Sequence, residues 1–230
     1  PDPKVAKGLR ELGFNFVQGY GLTETSPIAA LNRLYSFKDN AAGLPLPGLE
    51  IKINNPNEYG IGEIYIKGDS VMRGYYKNQK LTEEAFDNGW FKTGDIGFFD
   101  EDGFLHINGR QKNVIISKSG ENVFPEEIED ILNRNPFVQE SMVYGEEDEK
   151  HTEIIAVQIV TDAEAFIEYS EKNKVKITPE LVNDIIAEAV KETNKELPVV
   201  KQIRKFYVRD SEFEKTTTQK IKRYLVKNVH

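Results

Sequence analysis

The rhythm of apolar residues changes near residue 113, and no single regular architecture accommodates both sides of the change. Between residues 41 and 110 they fall in short alternating runs, Ile51-Lys52-Ile53, Glu63-Ile64-Tyr65-Ile66, Phe98-Phe99 and Phe104-Leu105-His106-Ile107, parted by Gly, Asn and Asp. Alternation broken by turn residues predicts an antiparallel sheet or small barrel, with Asp100-Glu101-Asp102-Gly103 as a hairpin turn. Beyond 113 the pattern is α+β: a strand at Val114-Ile115-Ile116, a helix from Pro125, strands near Met142 and Ile154, and a strand over 203–208. A long helix between Pro179 and Leu197 carries Leu181, Val182, Ile185, Ile186, Ala189 and Val190 on one stripe, the spacing of a helix laid on a sheet. Upstream, residues 3–12 read as a helix ended by Gly13, and Phe14-Asn15-Phe16-Val17 as a strand running into Gly19. Residues 145–150 read as an acidic loop and 163–174 as a surface excursion. Two domains meeting at 112/113 follow.

Composition narrows the function classes. With 39% hydrophobic and 10% aromatic residues the chain has enough apolar area to offset the entropy of ordering it. Zero cysteines remove disulfide scaffolds, thiolate metal sites and cysteine nucleophiles, and fit a reducing, cytoplasmic setting. Lys and Arg number 30 against 38 Asp and Glu, a net charge of -8, which argues against nucleic acid as a partner. Apolar runs such as 154–157 fall far short of the roughly 18 residues of a spanning helix. The chain opens on Pro1 inside what reads as a helix, so a piece of something longer is expected.

Five segments could carry chemistry. Gln18-Gly19-Tyr20-Gly21-Leu22-Thr23-Glu24-Thr25-Ser26-Pro27 combines glycines that let backbone approach a phosphate, three hydroxyls that donate to it, and a carboxylate able to hold Mg²⁺. An ordinary turn with a helix cap at Thr23 or Thr25 fits equally well, and Glu24 at the third glycine position excludes a dinucleotide fingerprint. In Asn88-Gly89-Trp90-Phe91-Lys92-Thr93-Gly94-Asp95 the acid could accept both hydrogen bonds of a ribose diol or form an Asx turn. Gly109-Arg110-Gln111-Lys112 puts a phosphate- or ribose-pairing arginine at the domain junction, with Lys112 also readable as a solvated linker. Residues 117–125 form a Gly120 turn leading to Pro125 at a helix start. Residues 215–223 are basic and by themselves read as a solvated tail. His106, His151 and His230 are too scattered to form a metal set, and His106 reads as one face of a hairpin strand.

In this order and spacing, Gly19-Tyr20-Gly21-Leu22-Thr23-Glu24, then Gly89-Trp90-Phe91-Lys92-Thr93-Gly94-Asp95, then Gly109-Arg110, then the 215–223 segment resemble the adenylate-forming acyl-CoA synthetase (AMP-binding) family over nearly the whole chain. The resemblance implies a mixed α and β fold. Residues 1–112 would be the end of the large adenylate-forming domain, with its β-rich part at about 41–110, and residues 113–230 a small mobile α+β domain. It implies a two-step reaction: adenylation of a carboxylate by ATP with release of pyrophosphate, then thioester formation with CoA and release of AMP. Tyr20 and Gly21 would lie by the nucleotide, Thr23 would contact phosphate, Glu24 would hold Mg²⁺, and Asp95 and Arg110 would bind the ribose. Lys112 matches the hinge, Gly120 the turn that approaches the pantetheine arm, and Lys220 the lysine that bridges carboxylate and α-phosphate. Gln219 stands where that family usually has Gly, so Lys222 is the fallback for this lysine.

Residues 119–125 and 213–218 resemble the long-chain fatty acid branch, which implies a fatty acid substrate and peripheral contact with membranes through that lipid. The family's phosphate loop, rich in Ser, Thr and Gly, has no counterpart in these 230 residues, so the chain alone is expected to be inactive. A naturally short nucleotide-binding or interaction module of the same fold is the alternative.

Overall fold

Strand pairing in the first half follows the turn residues. A computed structural model describes residues 3–148, 152–217 and 220–226; His151, His230, Thr218 and Gln219 lie outside the described residues. Contacts group into two compact units, Pro1–Lys112 and Asn113–His230.

In the first unit, helix α1 (Pro3–Glu11) buries only Ala6. Strands β1 (Gly19–Tyr20), β2 (Ala30–Leu31) and β3 (Leu44–Pro45) form a small antiparallel sheet in that order. The strand expected over residues 14–17 does not form: Phe14 is 61% exposed and Val17 40%, and among the described residues β2 meets this stretch only at β1. Without a ladder partner an extended apolar run has nothing to bond its backbone to.

Strands β4 (Leu49–Asn54) and β5 (Gly62–Gly68) follow, then helix α2 (Gln79–Ala85), β6 (Phe86–Asp87), β7 (Trp90–Phe99) and β8 (Leu105–Arg110). They build one antiparallel five-stranded sheet in which β7 is central, pairing β5, β6 and β8. Among the described residues this is a sheet with edges rather than a barrel. The Asp100–Gly103 turn closes the β7–β8 hairpin, with the Gly103 N–H donating to the Asp100 carbonyl at 2.9 Å. Ala29, Ala30, Ala42, Ile64, Ile66 and Leu105 form the buried core of this unit.

In the second unit, β9 (Ile115–Ile116) and β10 (Asn122–Val123) make a short hairpin, and α3 (Pro125–Leu132) begins with proline at its first position. Strands β11 (Val138–Glu147) and β12 (Glu153–Thr161) are antiparallel. Helices α4 (Ala163–Asn173) and α5 (Pro179–Glu196) then carry the chain to β13 (Lys205–Arg209), which pairs parallel to β12. A four-residue helix α6 (Arg223–Val226) follows. The expected α5 stripe is real: Ile186, Ala189 and Val190 are buried, with Val182 and Ile185 packed on the same core.

Two expectations fail here. Residues 163–174 are not a surface excursion, because Asp162 caps α4 and Phe166 is buried against Phe137 with ring centroids 4.9 Å apart. Gly145, Glu146 and Glu147 are not loop but the end of β11, since the ladder to Glu153 holds them extended. Glu146 tolerates burial because Lys205 and the Tyr207 and Tyr144 hydroxyls donate to it.

Candidate active site

The segment after β1 turns back sharply through a single 3-10 turn, Thr23–Thr25, and Ser26 adopts a left-handed backbone at φ 56°. Gly21 is needed there: a Cβ would lie 1.8 Å from the Pro27 carbonyl oxygen. Its smallness is thus required by the chain's own return path, whether or not a phosphate approaches. Thr25 caps the turn from its third position rather than facing outward. It is buried, its Oγ1 accepts from the Leu22 N–H at 2.9 Å, and it lies 3.0 Å from the Leu22 carbonyl. Of the three hydroxyls expected to face a phosphate, only those of Thr23 and Ser26 belong to exposed residues.

Glu24 is held from both ends. Its carbonyl accepts from the Met72 N–H at 2.7 Å and its Oε1 accepts from the Tyr75 hydroxyl at 3.0 Å. Burial and then the Glu24 carboxylate push the Tyr75 hydroxyl above the ordinary phenol range, so it remains a donor. Tyr75 was not among the expected site residues. It follows Gly74 with no motif of its own, and only the packing of residues 72–75 on the turn reveals it.

Asp95 reaches the site through an irregularity in β7. The β5–β7 register slips between Glu63 and Tyr65, and Gly94 sits at φ +68°, a left-handed conformation that glycine adopts without a Cβ penalty. Thr93 stabilises the bulge by donating to the Ile64 carbonyl at 2.7 Å and accepting from the Asp95 N–H at 3.0 Å. The Asx-turn reading of Asp95 is therefore wrong: Asp95 lies within a strand, 5% exposed, directly opposite Arg110 on β8. Arg110 Nε donates to Asp95 Oδ1 at 2.7 Å, and the Tyr20 hydroxyl donates to Asp95 Oδ2 at 2.6 Å.

Three residues from separate motifs, Tyr20, Asp95 and Arg110, thus share one cluster. Burial first, then the Asp95 charge, raises the Tyr20 hydroxyl well beyond its usual range and keeps it protonated. Both Asp95 oxygens are engaged, Oδ1 by Arg110 and Oδ2 by Tyr20.

Of the remaining expected residues, Lys112, Gly120 and Lys220 are exposed and Lys222 is half-buried. Lys112 lies in the 3-10 turn Gln111–Asn113. Gly120 occupies the β9–β10 turn at φ 81°, its N–H donating to the Ser117 carbonyl at 2.9 Å. Lys220 extends from a narrow hairpin in which the Thr216 N–H donates to the Lys220 carbonyl at 2.8 Å. Lys222 pairs with Glu214 at 3.6 Å. Among the described residues no group of three or more His, Asp or Glu side chains is placed to hold a metal, and no helix is long and apolar enough to cross a membrane. His106 lies on β8 as expected, 2.9 Å from Asp100 and stacked on Phe98.

The AMP-binding enzyme model matches residues 1–76, and the AMP-binding enzyme C-terminal domain model matches 127–220. The long-chain-fatty-acid–CoA ligase FadD15 of Mycobacterium bovis is 36% identical over 231 residues, covering 94% of this chain and 37% of its own length. The 2-succinylbenzoate–CoA ligase of Bacillus pumilus is 45% identical over 161 residues, covering 66% of this chain and 32% of its own. The chain therefore spans about a third of the length of these relatives. Among solved structures, the o-succinylbenzoate CoA synthetase of Bacillus subtilis with its acyl-adenylate intermediate superposes with TM-score 0.80 at 31% identity, over 100% of this chain and 44% of that one. The same synthetase with ATP and magnesium gives 0.79 at 31%, over 99% and 44%. The two matched models, the shared fold and the clustered motif residues together make this chain a member of the AMP-binding enzyme family.

Proposed function

We propose that this chain is the C-terminal part of an ATP-dependent acyl-CoA synthetase. The carrying observation is the Tyr20–Asp95–Arg110 cluster, a buried carboxylate fixed by a phenol and a guanidinium that sequence places far apart. In the first step a carboxylate oxygen bonds to the α-phosphorus of ATP and the bond to pyrophosphate breaks. In the second the CoA sulfur bonds to the acyl carbon, the bond to AMP breaks, and the thiol proton is released.

Asp95 accepts from the ribose diol, with Arg110 beside it, and Tyr20 lines the nucleotide. Thr23 donates to phosphate. Glu24 keeps one carboxylate oxygen beyond the one Tyr75 occupies, which suits Mg²⁺, since that ion is commonly held by one or two carboxylates together with substrate phosphates. When bound, it neutralises phosphate charge. Lys220 contacts the carboxylate and α-phosphate together in the first step, Lys112 is the pivot between steps, and Gly120 leaves the β9–β10 turn open to the pantetheine arm. The solved relative with ATP and magnesium supports this ligand set.

For the acid, we propose a long-chain fatty acid, supported by the match to FadD15 over 94% of the chain. A 2-succinylbenzoate-type acid is the second reading, favoured by 45% identity to that ligase over 161 residues. A cytoplasmic setting belongs to the proposal, supported by the cysteine-free composition. The test is ATP/pyrophosphate exchange by the longest protein carrying this chain, with each acid. Exchange with palmitate supports the first reading and exchange with 2-succinylbenzoate alone the second; exchange with neither, alongside AMP binding, returns the reading to a nucleotide-binding module.

A further inference from the structure

We propose that Arg223 is a positioning residue that clamps the hairpin presenting Lys220 onto the second unit. The proposal rests on reading Lys220 as the adenylation lysine.

Residues 214–216 and 220–222 form a narrow antiparallel pair. Lys215 bridges Ile221, the Thr216 N–H donates to the Lys220 carbonyl at 2.8 Å, and the Lys222 N–H donates to the Glu214 carbonyl at 2.8 Å. Side chains alternate along such a strand, so Ile221 points one way while Lys220 and Lys222 point the other, and the chain then enters α6 at Arg223. Ile221 packs against the cluster of Met142, Val160 and Phe213. Arg223 is the second anchor: its guanidinium donates to Glu129 and to the Val143 carbonyl at 3.1 Å, with Glu126 at 3.7 Å.

The receiving side is built in advance. Glu129 is a buried α3 residue whose Oε1 accepts from the Val143 N–H at 2.6 Å, so its second oxygen is aimed at Arg223. Glu126 also accepts from Asn113, the first residue of the second unit, at 2.8 Å. Burial opposes charge on Arg223, yet Glu129 and Glu126 outweigh it and keep the guanidinium cationic; burial pushes Glu129 up while Arg223 pulls it down. A planar fork reaching a carboxylate and a carbonyl together fixes orientation as a point charge does not. Lys220, itself exposed, takes its position from these two anchors.

Two measurements test this. In the present chain, Arg223→Met should speed hydrogen exchange at the Lys220 and Lys222 amides by at least about tenfold while α5 amides keep their rates. Unchanged exchange at the hairpin overturns the clamp. In the longest protein carrying this chain, Arg223→Met should lower kcat for adenylation by about 10²-fold, the scale of a small misplacement, with KM for ATP and conversion of presupplied acyl-adenylate within about threefold of the parent. Arg223→Lys, which keeps the charge but not the fork, should recover only part of the loss, and Lys220→Ala/Arg223→Met should be no worse than Lys220→Ala alone. Equal loss in both half-reactions, or additive losses in the double variant, overturns the positioning role. Should Arg223→Met not fold, Glu129→Gln keeps an acceptor for the Val143 N–H and must show the same selective loss. A parent protein without adenylation activity overturns the reading of Lys220 itself, and the exchange experiment still reports on the clamp.

Discussion

Asp95 and Arg110 face each other across the β7–β8 ladder, at the last paired position before the chain leaves the sheet, and their side chains close a 2.7 Å ion pair there. One oxygen of Asp95 is oriented by that arginine and the other by Tyr20 at 2.6 Å. The carboxylate is thereby held rigid before any ligand arrives.

Removing one member should therefore damage both fold and binding. Asp95→Asn should destabilise the chain by about 1–3 kcal/mol in denaturant unfolding, since it weakens a hydrogen-bonded pair at a largely buried site. AMP affinity measured calorimetrically should fall at least about tenfold, and Arg110→Met should lower it similarly. Unaltered AMP binding in both variants would remove this cluster from the nucleotide site.

The Tyr20 hydroxyl titrates above its ordinary value, so its contribution to stability is fully present below the unfolded-state pKa of about 10 and is lost as pH rises beyond that value. Absorbance titration of phenolate formation, compared with Tyr20→Phe, should show this tyrosine ionising after the exposed ones. A Tyr20 that ionises with the exposed tyrosines would contradict its hydrogen bond to Asp95.

Gly21→Ala places a methyl against the Pro27 carbonyl, where the gap is 1.8 Å. Overpacking of this kind costs about 1–3 kcal/mol, and the displaced turn should also disturb the Tyr75–Glu24 contact. Thermal unfolding checks the first effect. A variant as stable as the parent would mean that the 3-10 turn relaxes freely.

Limited proteolysis should cut first near Lys112. The second unit holds its own buried core, including Ile128, Leu132, Val157, Ile159 and Ile186, so a piece covering about 113–230 should stay folded by circular dichroism. In the longest protein carrying this chain, Lys112→Pro should slow thioester formation more than adenylation, because fixing φ restricts one of two domain poses. Equal loss in both half-reactions would count against a hinge.

Lys220→Ala should lower adenylation at least about 10²-fold, roughly 2.7 kcal/mol of barrier, and leave conversion of presupplied acyl-adenylate within severalfold of the parent. Lys222→Ala is the control for register, since Lys222 is already paired with Glu214. Selective loss in Lys222→Ala but not in Lys220→Ala moves the assignment by two residues.

Local chemistry sufficed for much of this protein. The Asp100–Gly103 hairpin, the proline-led α3 and the apolar stripe of α5 are set by turn residues, a cap position and a 3.6-residue period, all of which act between near neighbours. The motif order identified the family for the same reason, because each motif is a short contiguous string. Where the sequence misled, the deciding partner was remote. Residues 14–17 have strand composition but no ladder to join, Phe166 earns its helix a place in the core through Phe137, and Glu146 is buried because Lys205 and Tyr207 meet it. Tyr75 on Glu24 and Arg223 on Glu129 were invisible in one dimension. A carboxylate's surroundings depend on which strands pair and in what register, and that is a property of the folded chain. The sequence alone determined which residues could do phosphate, ribose and metal chemistry; only tertiary structure, through the β7 bulge and the β7–β8 register, brought Tyr20, Asp95 and Arg110 into one cluster.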